Sequence, residues 1–176
     1  MCLVVLSCAI KGNFKGLFSY FDSTKNDIPA NFILFDTLIS YKTKDYSSPK
    51  ICIINGSELL KVLKKYENSI VYIWKPNCKS YTCIPIEVME NISLKKNYNL
   101  FVVSEYYDTN AMNLLYGTRN IIFAINTKYY NSNFTKVYLN KFFLDLKTNC
   151  AINHQFLLFN RDVFKESYSS IEEIKY

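Results

Sequence analysis

The run Ser69-Ile-Val-Tyr-Ile-Trp74 constrains the fold of this chain more than any other segment. After the first residue it is apolar at every position, as expected of a central strand that is covered on both faces of a sheet. Such a strand needs a layer of helices on either side. The run therefore predicts an α/β domain whose sheet is enclosed.

The rest of the chain supplies both kinds of element in alternation. Short apolar runs predict further strands, and segments with apolar residues at helical spacing predict helices between them. The predicted strands are 51–54, 70–74, 100–104, 121–125 and 155–159, and the predicted helices are 58–65, 84–96, 109–116 and 134–146. This order predicts an α/β sandwich with a central mixed sheet flanked by helices.

Smaller expectations concern the ends of these elements. Ser57 is predicted as the N-cap of the helix at 58–65. Residues 32–41 fit either an outer strand or a short helix. A turn is predicted at 160–162, and the residues after it form a polar C-terminal end.

Length and composition favour one domain and exclude some partners. With 176 residues, 49% of them apolar, the chain has the size of a single domain with a full core. The net charge of +6 is moderate, and the basic residues are not gathered on one helix or loop among exposed aromatic residues. No nucleic-acid partner is therefore expected.

The amino terminus, Met1-Cys-Leu-Val-Val-Leu-Ser-Cys8, resembles the end of an export signal. Leu-Ser-Cys8 is similar to the cleavage site of bacterial lipoproteins, in which the cysteine is lipidated. The run lacks a basic segment and is shorter than a signal core of roughly 7–15 residues, so a first strand is the alternative. On the lipoprotein interpretation, residues 1–31 are a truncated signal and polar tether, residues 32–176 are the domain, and a lipid at Cys8 is the only membrane contact.

The cysteines are too few, at six, for a disulfide-dense scaffold. Cys52 lies in an apolar strand and is interpreted as a small core residue. Cys78 and Cys83 are close, but residues five apart in a helix are separated by about 7.5 Å of rise, and a disulfide needs Cα atoms within roughly 7 Å. Their bond therefore requires a loop at 79–82 and a helix that begins at Cys83 or later. The sequence leaves the bond itself open.

The segment Trp74-Lys-Pro-Asn-Cys78, directly after the central strand, resembles the active-site turn of the thioredoxin-like fold. The resemblance covers about residues 49–176 and points to envelope thiol–disulfide oxidoreductases and related lipoproteins. It implies a thioredoxin-like three-layer sandwich in which Cys78 is the attacking cysteine. A helix start would stabilise its thiolate. Trp74 and Pro76 would shape the turn, and Pro85 would fit the first turn of that helix.

The chain departs from this family in two places. The family's second cysteine follows three residues after the first, where this chain has Tyr81. Cys83 would therefore resolve the mixed disulfide, in a modified Cys-x4-Cys site. The family's cis-proline precedes the late strand, where this chain has His154-Gln155.

Three basic side chains are candidates for stabilising a thiolate. Lys75 and Lys79 flank the turn in sequence. His154, the only histidine, either lies near Cys78 and stabilises its thiolate or is a loop residue without a role. A zinc site formed by Cys78 and Cys83 with Cys150-x-x-x-His154 has loose spacing and is not expected.

Two functions remain open at this point. The first is a thioredoxin-like protein of the bacterial cell envelope that exchanges disulfides with a protein or small-molecule thiol partner and needs no cofactor. The alternative is a catalytically inactive thioredoxin-like binding module, in which Cys78 and Cys83 form a structural disulfide or stay inert thiols. The sequence contains no Gly-rich phosphate loop and no convincing Ser/His/Asp triad.

Overall fold

The computed structural model describes residues 16–35, 50–78, 80, 83–113 and 121–174. Within these ranges, one sheet of seven strands lies between two layers of helices. The strands are β1 (Phe32–Leu34), β2 (Ile51–Ile54), β3 (Asn68–Trp74), β4 (Asn99–Ser104), β5 (Ile122–Ile125), β6 (Phe156–Asn160) and β7 (Val163–Tyr168). The helices are α1 (Phe21–Asp27), α2 (Gly56–Leu63), α3 (Ile86–Lys95), α4 (Thr109–Asn113) and α5 (Thr135–Asp145).

The sheet is mixed, and its strands follow the order β1-β2-β5-β4-β3-β6-β7. The pairs among β1 to β5 are parallel. β6 runs antiparallel to β3, and β7 runs antiparallel to β6. The predicted α/β class with a mixed sheet is therefore confirmed.

β3 is buried on both sides, as its sequence predicts. Val71 and Ile73 face the layer of α2 and α5, which we call the first face of the sheet. Ile70 and Tyr72 face α3 on the opposite side, which we call the second face. Each of these four side chains is at most 1% exposed. Both helical layers are needed to keep this one strand out of water.

The second face also carries the two short helices. Phe21 of α1 and Met112 of α4 are buried against Ile51, Ile53 and Ala124 of the sheet. α1 and α4 therefore cover the half of the second face formed by β2 and β5. α3 covers the half formed by β3 and β4.

The segment from Gly16 to Asn31 differs from the polar tether that the sequence predicted. Phe21 is 4% exposed, and its ring meets the ring of Tyr107 edge to face at 5.0 Å between centroids. The Ser19 N–H donates to the Asn133 carbonyl at 2.9 Å. The segment's aromatic side chains follow neither a helical nor a strand period, so the sequence pattern predicts a loop, although Phe21 packs on the core. Residues 1–15, including Cys8, lie outside the described residues.

The prediction of Ser57 as N-cap is wrong, because α2 begins earlier than expected. The Asn55 side chain accepts a hydrogen bond from the Glu58 N–H at 2.9 Å, and the Glu58 carboxylate accepts one from the Asn55 N–H at 2.9 Å. This capping box satisfies two N–H groups at the helix start. Gly56 follows at a close approach to α5, where a Cβ would lie 2.6 Å from the Phe142 carbonyl oxygen.

The C-terminal end also differs from expectation, since β7 follows the turn at 160–162. Among the described strands, β7 pairs only with β6, and it carries Lys165 and Glu166. An edge strand has one strand neighbour and tolerates polar side chains, which also discourage pairing with other chains. Its partly buried Phe164 and Tyr168 pack on the first and second face respectively.

The other described helices and strands begin and end close to the predicted residues. α5 and the strands at 51–54 and 121–125 agree within one residue of each end. Of residues 32–41, the first three form the outer strand β1, and residues 36–41 lie outside the described part of the chain. α4 is described to Asn113, so the end of the helix predicted at 109–116 also lies outside it.

The capping box gives a test of the α2 start. We expect Asn55→Ala to lower the free energy of unfolding by about 1 kcal/mol, because the Glu58 N–H loses its side-chain acceptor. Urea denaturation would measure the change. Ser57→Ala is the matched control and should alter stability by less than about 0.5 kcal/mol, as expected of an exposed position. An equal loss in both variants would contradict the assignment of Asn55 as the cap.

Candidate functional site

A tight turn follows the end of β3 and presents Cys78. The Cys78 N–H donates to the Lys75 carbonyl at 3.2 Å, which closes a turn with Pro76 and Asn77 as its central residues. Asn77 has a positive φ of 60°. A proline followed by a residue with positive φ is the pattern of a type II turn, and asparagine tolerates that conformation. Pro76 is buried and fixes the direction in which the chain leaves the strand.

Cys78 and Cys83 form a disulfide, which the sequence had left open. Their Cα atoms lie 6.0 Å apart, within the usual range for such a bond. Both residues are half-buried. The bond forms before α3 begins at Ile86, as the spacing required. Among the described cysteines, Cys52 and Cys150 are free thiols.

The helix start lies further from Cys78 than the resemblance implied. α3 begins at Ile86, and Pro85 is its N-cap instead of part of its first turn. The Cys83 N–H donates to the Ser80 carbonyl at 3.0 Å. The N–H groups of both cysteines are thus engaged in turns before the helix. Among these backbone bonds, none joins Cys78 to the start of α3.

Tyr72 connects the disulfide loop to the sheet. Its hydroxyl donates to the Ile84 carbonyl at 2.8 Å, directly after Cys83. Its ring stacks on Phe156 of β6 at 5.1 Å between centroids. Burial raises the pKa of Tyr72 to about 12, so the hydroxyl remains a donor at ordinary pH. A tyrosine in an otherwise aliphatic strand was the sequence signal for this contact, because a buried hydroxyl needs a partner.

A partly buried ion pair lies directly beside the turn. Lys75 Nζ is 3.4 Å from Glu105 Oε2, and the Glu105 N–H donates to the Trp74 carbonyl at 2.8 Å. Burial raises the pKa of the Glu105 carboxyl, and the Lys75 ammonium offsets this rise only in part. Lys75 is therefore paired with a carboxylate and is not a free cation for a thiolate. Lys79 lies outside the described residues.

The other predicted site residues lie around this edge of the sheet. Trp74 ends β3, is half-buried and packs against the apolar clusters of the second face. His154 lies in the loop before β6, where its Nδ1 is 2.8 Å from the Ser167 hydroxyl oxygen of β7. Among the described contacts, none joins His154 to Cys78 or Cys83. A role of His154 toward the disulfide is not supported by these contacts.

The backbone in place of the family's cis-proline continues the sheet. The Gln155 carbonyl accepts from the Ile73 N–H at 2.8 Å, and the Gln155 N–H donates to the Tyr168 carbonyl at 2.9 Å. The described residues contain no cis peptide bond. Both backbone groups of Gln155 are therefore used inside the protein.

Metal binding by the four suggested ligands is inconsistent with this arrangement. Cys78 and Cys83 are bonded to each other, so neither supplies a thiolate to zinc. Cys150 Sγ lies 3.3 Å from the Thr148 hydroxyl oxygen. Across the described ranges, no group of three or more His, Cys, Asp or Glu side chains is arranged to hold a metal ion.

Comparisons with known proteins identified no relative of this chain. No family model matches this chain, and neither a curated protein nor a solved structure is similar to it. Within the described residues, no helix combines the length and apolar character needed to cross a membrane. The functional argument therefore depends on the site geometry.

The Tyr72 contact can be tested by stability. We expect Tyr72→Phe to lower the free energy of unfolding by about 1 kcal/mol, because the Ile84 carbonyl loses its donor. Chemical denaturation of the oxidised protein would measure it. Tyr168→Phe, which removes a hydroxyl bonded to the exposed Glu166, should cost much less. Equal effects of the two variants would contradict the connection between Tyr72 and the loop.

The raised pKa of Glu105 predicts a pH dependence of stability. Between its ordinary value of 4.5 and its raised value, the folded protein binds more protons than the unfolded chain. The contribution of Glu105 is then fully present below pH 4.5 and is lost as pH rises through the folded pKa. We expect the difference in free energy of unfolding, wild type minus Glu105→Gln, to fall with rising pH. Urea titrations at several pH values would measure it.

Glu87→Gln is the control for this measurement, since Glu87 is exposed on α3. Its difference from the wild type should stay nearly flat over the same pH range. A Glu105→Gln difference that grows with pH would mean that the Lys75 ammonium outweighs burial, contrary to the prediction.

Proposed function

We propose that this chain is a thioredoxin-like protein that carries out thiol–disulfide exchange through Cys78 and Cys83. The observation that carries the proposal is the half-buried disulfide at the carboxyl end of a central strand. Substrates reach the carboxyl ends of strands in open α/β sheets, because the connecting loops form crevices there.

The wider arrangement supports a thioredoxin-like fold without depending on the cysteines. β3 lies between β4, which is parallel to it, and β6, which is antiparallel. Helices cover both faces, which gives the three layers that the resemblance implies. The turn with Pro76 and Asn77 leads from the strand to the first cysteine at the family's spacing.

The proposed exchange uses both sulfurs in order. In the reduced protein, the Cys78 thiolate attacks a partner disulfide, forms a mixed disulfide and releases one partner thiolate. The Cys83 thiolate then attacks Cys78 Sγ, which closes the Cys78–Cys83 bond and releases the second partner thiolate. The partner gains two electrons and the site loses two. The disulfide described above is the oxidised product of this sequence.

A catalytically inactive binding module is the second candidate, and specific contacts favour it. The cysteine N–H groups donate to turn carbonyls, and Lys75 is paired with Glu105. These groups are therefore not available to lower the pKa of the Cys78 thiol, which reactive cysteines require. In this version the disulfide only closes the loop between β3 and α3.

The location of the protein is part of the proposal. An envelope lipoprotein, anchored by a lipid at Cys8, would work in an oxidising compartment in which a disulfide persists. A protein or small-molecule disulfide would be its partner.

A redox titration separates the two functions. The full chain is equilibrated with glutathione or dithiothreitol buffers, and the Cys78–Cys83 bond is followed by alkylation and peptide mass spectrometry. We expect a reversible couple between about −120 and −270 mV, as in oxidoreductases. A potential below about −300 mV is typical of structural disulfides and would support the inactive module.

Single variants then identify the attacking sulfur. Cys83→Ser should accumulate a mixed disulfide between Cys78 and a model disulfide substrate, because the resolving thiol is gone. Cys78→Ser should accumulate much less. Cys150→Ser is the control, since this half-buried thiol lies outside the loop, and it should leave the potential unchanged. Equal trapping by Cys78→Ser and Cys83→Ser would contradict the assigned order.

A further inference from the structure

α5 has apolar side chains on the side that points away from the sheet. Val137 and Leu144 are both exposed, and Leu144 is 71% exposed. They are seven residues apart, a spacing that places side chains on the same side of a helix. The opposite side of α5 is buried in the core through residues such as Tyr138 and Phe142. α5 is therefore apolar on two sides, and the described residues cover only one of them.

The exposed apolar side chains begin just before the helix. Phe134 is exposed and precedes Val137 by three residues, so the two side chains are neighbours on the helix surface. The ring of the half-buried Phe18 lies 5.1 Å from the ring of Phe134 between centroids. From Phe134 to Leu144 the helix rises by about 15 Å. We call Phe134, Val137 and Leu144 the α5 strip.

Lysines border the α5 strip, and the helix has little negative charge. Lys136, Lys141 and Lys147 are exposed. Lys141 Nζ donates to the Tyr130 carbonyl at 2.8 Å, which fixes its position beside the strip. Asp145 is the only acidic residue of α5, and its carboxylate accepts from the Tyr130 hydroxyl at 2.9 Å. The charge around the strip is therefore positive.

α2, the neighbour of α5 in the same helical layer, adds further positive charge. Lys61, Lys64 and Lys65 are exposed at its carboxyl end. Glu58, its only acidic residue, is used in the capping box with Asn55. α3, on the opposite side of the sheet, carries two glutamates instead. The layer formed by α2 and α5 is thus the more basic side of the domain.

The preceding chain joins the described residues beside the start of α5. Gly16 is the first of these residues, and the Thr135 N–H donates to the Leu17 carbonyl at 3.0 Å. Cys8 precedes Leu17 by nine residues, which span at most about 30 Å when fully extended. A lipid at Cys8 would therefore keep the start of α5 near the membrane.

We propose that the α5 strip rests on the surface of an anionic lipid bilayer. Its apolar side chains enter the boundary between headgroups and acyl chains, and the lysines of α2 and α5 meet the lipid phosphates. Lysine stems lie along an apolar surface while their ammonium groups stay among the headgroups. The inference deepens the proposed function, since the lipid at Cys8 rests on it. The contact between the strip and the bilayer needs no lipid anchor.

The charge around the strip favours a bilayer over a second copy of this chain. In a symmetric dimer the same surface of each copy meets its counterpart. Two copies that packed strip against strip would bring the lysines of one α5 close to those of the other, and like charges across an interface oppose association. Anionic lipids instead neutralise these lysines.

The test measures the binding of the purified full chain to vesicles. Vesicles of phosphatidylcholine mixed with phosphatidylglycerol are compared with vesicles of phosphatidylcholine alone by co-sedimentation at low salt. We expect the mixed vesicles to bind at least about tenfold more tightly, because several lysines meet their phosphates, and added salt should weaken this binding. Equal binding to both vesicles, or no binding to either, would overturn the proposal.

Matched leucine variants place the contact on the strip. We expect Leu144→Ser to lower the affinity for mixed vesicles by about tenfold, because an apolar side chain no longer enters the bilayer. Leu94→Ser is the control, since Leu94 is also 71% exposed but lies on α3, across the sheet. Both variants keep the apolar amino-terminal run, so that run does not account for a difference between them. Equal losses in the two variants would overturn the assignment.

Two further measurements separate the remaining explanations. Sedimentation velocity without vesicles tests self-association: a dimer that Leu144→Ser dissociates, with vesicle binding unchanged, would show that a second copy covers the strip and would overturn the proposal. The redox titration tests the exchange function independently. A reversible couple without vesicle binding would contradict only the bilayer contact, and vesicle binding that depends on Leu144 without a reversible couple would support the contact and contradict only the exchange.

Discussion

The burial of β3 between two helical layers is the constraint on which the other features depend. Its side chains alternate between the two faces, so removing either layer would expose half of them to water. The strand also pairs with β4 on one side and β6 on the other. The backbone at the end of β3 is therefore held in place from both sides. The turn after Trp74 starts from this fixed strand end.

Three hydrogen bonds fix the disulfide loop and the adjoining end of β3. The turn at Pro76 and Asn77 closes on Lys75, the Glu105 N–H binds the Trp74 carbonyl, and Tyr72 holds the segment after Cys83. These contacts bring order to the loop, but they also use N–H groups and a cation that could otherwise stabilise a thiolate. The loop thus combines the position of a reactive site with the bonding of a structural one. The reduction potential decides between them because it measures the stability of the bond relative to the two thiols.

Sequence patterns predicted the helices and strands in which the apolar residues form a regular pattern. The apolar run of β3 and the helical spacing of α5 led to bounds close to the observed ones, since burial on fixed faces dictates both patterns. α1 and β7 were missed for physical reasons. α1 presents aromatic residues without a regular period, and β7 is an edge strand that tolerates polar side chains.

Part of the candidate site could be predicted because it depends on residues close together in the sequence. Proline and cysteine at fixed positions after a strand indicate a local turn, and the spacing of Cys78 and Cys83 requires a loop. The pairing of Lys75 with Glu105 joins the residues that directly follow two different strands, and the bond of Tyr72 crosses to the segment before α3. Contacts of this kind depend on which strands are neighbours. A single sequence does not specify that order.

The parallel pairing of β3 and β4 has a consequence for access to the molecule. Both strands end at the same rim of the sheet, so the disulfide loop and the segment after β4 leave from neighbouring strand ends. The Glu105 N–H bonds the Trp74 carbonyl, and the Glu105 carboxylate pairs with Lys75. A partner that displaces the disulfide loop would therefore also displace the first residues after β4.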